Sequence, residues 1–151
     1  MIIIYTDGAA QGNPGPGGYG AVLKYNQHRK ELSEGFRKTT NNRMELLAVI
    51  KALESLKHNR HDVTIYSDSK YVVDAVEKGW LESWVKTGFK KKKNVDLWKR
   101  FLPLYKQYNI KFKWVKGHAG NPENERCDQL AVAAANSFQL KVDEGYENEV
   151  D

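Results

Sequence analysis

"IIIYTDG" (residues 2–8) and "VTIYSDS" (residues 63–69) decide the fold. Each is a β-branched, aromatic run that reads as a strand buried on both faces. Each then stops at an aspartate, Asp7 or Asp68, followed by a small residue. An ionised carboxylate beside a core is costly unless something compensates it. Two neighbouring buried strands ending this way place that cost at the carboxyl edge of one sheet, where α/β proteins keep their ligand crevice.

Outward from these strands, "GAAQGNPGPGGYG" (8–20) reads as a turn-rich loop. Residues 20–26 and 29–36 read as an antiparallel hairpin turning near Gln27 and His28. Residues 42–57 read as a helix, with Ala48, Val49, Ala52, Leu53 and Leu56 on one stripe counted from Glu45. Strand 62–67 follows, then a helix capped by Ser69 and a short helix at 80–86. "NVDLWKRFLPLYKQ" begins as a helix that Pro103 should end or kink. "IKFKWV" (110–115) alternates as a strand does. A last helix is announced by Asn121 as cap and Pro122 at its first position. The order predicts an α/β fold: a five-stranded mixed sheet with an antiparallel hairpin edge and a parallel centre, flanked by helices. Gly15, Gly17 and Gly20 match the dinucleotide-binding glycine pattern, but no helix follows them and Pro14 and Pro16 remove amides, so the pattern is rejected.

At 151 residues the chain is expected to form a single domain, residues 1–142, with a loose acidic tail at 143–151. Eighteen consecutive apolar residues occur nowhere, which argues against a membrane span, and no secretory signal is expected. The lone cysteine, Cys127, cannot form an internal disulfide, which fits a reducing, cytoplasmic setting. Net charge is +5, and residues 86–100 hold seven basic residues against one acid, Asp96. That patch suits a polyanion, although lysine loops also serve solubility.

Four acids stand where apolar residues belong. Glu45 lies on the stripe of its own helix, Asp128 has Ala131, Val132 and Ala135 below it, and Asp7 and Asp68 end buried strands. Each alone has an ordinary account: a turn or cap for Asp7 or Asp68, a pair with Arg43 or a lysine for Glu45, a pair with Arg126 for Asp128. Together they raise one another's pKa and repel, and a hard divalent cation, Mg²⁺ or Mn²⁺, best relieves an all-oxygen cluster. Two such ions about 3.5–4 Å apart would stabilise the attacking and leaving oxygens of a phosphodiester displacement. His118, between Gly117 and Gly120, reads either as a surface histidine or as a proton carrier.

The segments "YTDGAAQGNPGPGGYG", "TTNNRMELLAVI", "YSDSKYVVDAV", "KNVDLW" and "WVKGHAGNPENERCDQLA" run in order through nearly the whole chain. In them the chain resembles the type I ribonuclease H family, in its bacterial form. The resemblance implies a ribonuclease H-like fold and an endonuclease that hydrolyses the RNA strand of RNA–DNA hybrids, leaving 3′-hydroxyl and 5′-phosphate ends. It implies Mg²⁺ as cofactor, with Mn²⁺ substituting and two ions present once substrate is bound. It makes Asp7, Glu45, Asp68 and Asp128 metal ligands and His118 an aid to proton transfer or product release. Gly8, Asn13, Asn41 and Asn42 match positions near the substrate. Trp80, Trp84, Phe89, Lys90, Lys91, Lys92 and Lys93 match a handle that grips the DNA strand, with helix packing an alternative role for the two tryptophans. Departures are a shorter lysine segment, Phe89 where tryptophan is common, and Lys70 where glutamine often contacts substrate. No separate hybrid-binding domain is expected before the catalytic one, and a monomer is expected. A non-catalytic hybrid-binding module and a DNA-cutting nuclease of the same fold remain as alternatives.

Overall fold

The computed structural model describes residues 1–57, 62–117 and 120–148. Strands β1 (Ile2–Ala10), β2 (Gly15–Tyr25), β3 (His28–Thr39), β4 (Asp62–Ser67) and β5 (Asn109–Trp114) form one sheet in the order β3-β2-β1-β4-β5. The first three run antiparallel, and β4 and β5 join parallel to β1. This is the mixed sheet expected from the sequence.

The hairpin is longer than its apolar residues suggested. β1 continues to Ala10 and β2 starts at Gly15, so the expected loop shrinks to Gln11–Pro14. The reason is steric. A Cβ on Gly18, Gly20 or Gly35 would lie within 2.5 Å of the main-chain oxygens of Ala131, Cys127 and Ala134. These glycines belong to strands because a helix sits directly on them. The β2–β3 turn is two residues, Asn26 and Gln27, with Asn26 left-handed at φ 53°.

Helix α1 (Asn41–Glu54) follows β3, with the Thr40 hydroxyl accepting from Arg43 N. Helices α2 (Lys70–Glu77), α3 (Trp80–Lys86) and α4 (Val95–Gln107) separate β4 from β5, and α5 (Pro122–Ala135) follows it. Ser69 and Asn121 cap α2 and α5 through their side chains, as expected. α1 packs on β1 and β2 from one side, and α5 covers β1, β2 and β3 from the other. Ile4, Ile65, Met44, Leu46, Ile50, Leu53, Trp98 and Phe101 are fully enclosed between the sheet and α1, α2 and α4.

One expectation is narrowed and another corrected. Pro103 does not end α4, which runs on to Gln107. Pro103 and Lys99, whose carbonyl it cannot bond, are both exposed, while Leu97, Trp98 and Phe101 anchor the helix on the core. Nor is the acidic tail loose over 143–148. Asp143 is buried and starts the short helix α6 (Glu144–Glu147), and β3 meets the chain at Lys141.

Candidate active site

Asp7 and Asp68 leave the sheet from adjacent parallel strands, with Tyr5 beside Tyr66 and Thr6 beside Ser67. Glu45 arrives from α1 on the sheet's far side. It gets there because β1 has no side chain at residue 8: a Cβ on Gly8 would stand 2.4 Å from Glu45 N and 2.5 Å from Met44 C. Asp7 pairs in register with Gly20, the residue on which α5 rests at Cys127, so the next residue of α5, Asp128, comes to the same strand end. The rim is closed by Gly8, Ala9, Asn41, Asn42, Ser69, Lys70 and Tyr71, around a cleft of about 370 Å³.

Carboxylate oxygens of Asp7, Glu45 and Asp68 all lie within 4.8 Å of one another. Asp128 lines the same cleft, outside that tight trio. Burial, and then the charge of Asp68, pushes the Asp7 carboxyl up to about 7, although the Gly8 amide donates to its Oδ1 at 2.9 Å. Glu45 is pushed well above the usual carboxylate range, first by burial and then by Asp7 and Asp68. Its Oε2 is buried without a hydrogen-bond partner among the described residues.

The arginine accounts of Glu45 and Asp128 fail. Arg43 is committed to Asp143 at 2.8 Å and Asp96 at 2.7 Å rather than to Glu45. Arg126 binds Glu31 at 2.8 Å rather than Asp128. What remains is a cluster of hard oxygen donors with one buried acceptor unfilled, the donor set of a small divalent cation. His118 lies outside the described residues.

The other expected contacts fall into two groups. Asn41 Oδ1 accepts from Ala10 N at 2.6 Å and Asn13 Oδ1 accepts from Asn41 N at 2.9 Å, so both asparagines tie the β1–β2 turn to the start of α1. Asn42 lines the cleft and also the neighbouring hollow that holds Asn13, Lys93 and Asn94. Some distance along the chain, Trp80 is exposed, with Lys78 over its ring. Trp84 packs edge-on against Trp98 and carries Lys92 on its outer side. Phe89 turns into the core, with φ 59°, while Lys90, Lys91, Lys92 and Lys93 stay exposed. Sequence reasoning missed Ser69 and Tyr71 as rim residues, and Trp114, whose Nε1 donates to the Asp68 carbonyl at 3.2 Å. Its place in "WV", one strand over from Asp68, was the available signal.

A mixed sheet that gathers carboxylates at the ends of its central strands offers a divalent cation its oxygen donors, the arrangement of a metal-assisted hydrolase. Comparison with known proteins agrees. The RNase H family model matches residues 1–136. A ribonuclease H of Desulforamulus reducens is 60% identical over 147 residues, covering 94% of this chain and 92% of that protein. The crystal structure of LC9-RNase H1, a type 1 RNase H with the type 2 active-site motif, superposes with a TM-score of 0.81 at 32% identity, over 97% of this chain and 79% of that one. LC11-RNase H1, solved in complex with an RNA/DNA hybrid, superposes with a TM-score of 0.66 at 29% identity, over 90% and 97% of the two chains. The chain belongs to the RNase H family and is a ribonuclease of that class.

Proposed function

We propose that this chain cuts the RNA strand of RNA–DNA hybrids internally, with Mg²⁺ held by Asp7, Glu45, Asp68 and Asp128, two ions being engaged once substrate is in place. The observation that carries the reading is the trio of carboxylates within 4.8 Å of one another, with Arg43 and Arg126 bound to other acids. Bound there, the cations would supply charge for the attacking water and for the departing 3′-oxygen.

The chain's own residues do the rest. Asp7 and Asp68, fixed at strand ends, keep the cluster rigid, and Gly8 lets Glu45 close it from behind. Asn41 and Asn42 line the cleft, where side-chain amides can bond a ribose 2′-hydroxyl. Lys70 meets a phosphate at the rim. Lys90, Lys91, Lys92 and Lys93, with Trp80 and Trp84, lie along the second strand and touch phosphate and sugar without reading bases. His118 is assigned proton transfer or product release by motif. The protein works as a cytoplasmic monomer on this reading, and Mn²⁺ replaces Mg²⁺.

The test is cleavage of one labelled RNA strand presented alone, paired to RNA, or paired to DNA, with Mg²⁺. Only the DNA-paired strand should be cut, with 3′-hydroxyl products. Equal cutting of plain duplex DNA would favour a DNA nuclease instead.

A further inference from the structure

Trp114 is 46% exposed, a large indole at the last position of β5. It is nonetheless held in place. It pairs with Ser67 in the sheet, the next amide, Val115 N, donates to Ser67 O at 2.9 Å, and the indole N–H donates to the Asp68 carbonyl. Lys70 Nζ stands over the ring, 4.9 Å from its centroid.

Lys70 is an odd choice for its position. It is the first residue of α2, where the helix dipole disfavours a cation. It lines the cleft two residues after Asp68, on a flexible stem facing a cluster of carboxylates. The strongest nearby attraction would draw its ammonium into that cluster, where it would occupy the oxygens a metal needs. Among the described residues it makes no ion pair, and the indole face takes the ammonium instead.

We propose that Trp114 is a positioning residue: its indole holds the Lys70 ammonium at the rim of the cleft, set to meet a phosphate of the nucleic acid and kept out of the carboxylate cluster. This rests on the hybrid-cleavage reading, since it assigns that substrate's phosphate to Lys70.

The test measures binding of a fluorescently labelled RNA–DNA hybrid by anisotropy across a KCl series, in an Asp7→Asn background that does not cut. Lys70→Gln should weaken binding several-fold and make the slope of log Kd against log salt shallower by about 0.9. Trp114→Leu should weaken it in the same direction, and Trp114→Phe, which keeps a ring, should stay within about twofold of the parent. In the Lys70→Gln protein, Trp114→Leu should change nothing further. In otherwise wild-type enzyme the effect should fall on KM with kcat held. Additive losses, or a Trp114→Phe as weak as Trp114→Leu, would overturn the proposal. Should Trp114→Leu fail to fold, the unsubstituted protein decides: Lys70 methylene proton resonances should be shifted upfield by the indole and move on adding hybrid. Random-coil shifts would end the proposal. Absence of any hybrid binding or cutting by the parent proteins would instead overturn the proposed function, a separate result.

Discussion

At Asp7, burial and the charges of its neighbours pull the same way. Its carboxyl is pushed from 3.8 up to about 7, chiefly by burial and then by Asp68. In the unfolded chain it titrates near its ordinary value, so between about pH 4 and 7 the folded protein binds more protons than the unfolded one. Stability drawn from this group is therefore present at low pH and is lost as pH rises through 7. Asp7→Asn imitates the protonated form at every pH. It should abolish cleavage of the hybrid while leaving hybrid binding within a few-fold. It should also make the metal-free protein more stable than wild type at pH 8, by ~1–3 kcal/mol, and indistinguishable from it near pH 4. Thermal melts in EDTA at pH 4 to 8 check this. With Mg²⁺ the order should reverse, because only the ionised wild-type cluster gains a ligand that the unfolded chain lacks. A wild-type melting curve unmoved by millimolar Mg²⁺ at pH 8 would argue against a metal site in the free protein.

The elements explain why four distant acids share one point. α5 can approach β2 only because residues 18 and 20 have no side chains, and that approach carries Asp128 to the cleft. Gly20→Ala would place a Cβ 2.4 Å from the Cys127 carbonyl, with backbone rather than a movable side chain in the way. The helix must lift. A loss of ~2 kcal/mol in stability and a raised Mg²⁺ requirement for cleavage should follow, read from urea melts and a metal titration. Wild-type metal dependence in that variant would separate Asp128 from the metal. α4 makes the opposite point. Pro103→Ala restores an amide that can reach the exposed Lys99 carbonyl, and urea melts should show a gain of up to ~1 kcal/mol. Much of this layer was legible beforehand. Strands ending in aspartate, the stripe through Glu45, and the Ser69 and Asn121 caps depend on neighbours close in sequence, and their periodicity shows it. The glycines of β2 were misread as loop, and Pro103 does not stop α4, one of its two expected effects, because each residue's local preference opposes its element. Contact with α5 overrides the first and burial of Trp98 and Phe101 the second, and neither is visible from local pattern.

Across the whole molecule, one buried arginine ties the acidic tail to the helix that carries Glu45. Asp143 accepts from Arg43 Nε at 2.8 Å and Nη2 at 2.9 Å, and from the Thr39 hydroxyl at 2.6 Å. Arg43 reaches on to Asp96 in α4, and two residues further along α1 stands Glu45. Composition alone reads the tail as solvated acid, since its partner lies 100 residues away in sequence. The outer tie, Arg37 to Glu147, is exposed on the arginine side and contributes little. Asp143 should therefore be the anchor. Asp143→Asn turns an amide N–H toward the guanidinium and leaves a buried charge half compensated, which should cost about 3 kcal/mol and lower Tm by roughly 6–12 °C. Glu147→Gln should move Tm by no more than a degree or two. A chain ended at Val142 should melt only slightly below Asp143→Asn, because the rest of the tail adds little once the anchor is gone. Activity separates support from chemistry. Asp143→Asn should lower kcat modestly through a looser Glu45, with KM for the hybrid unchanged, and differential scanning calorimetry beside steady-state cleavage reads both. Equal destabilisation by Glu147→Gln and Asp143→Asn would move the anchor to the surface pair and detach the tail from the site.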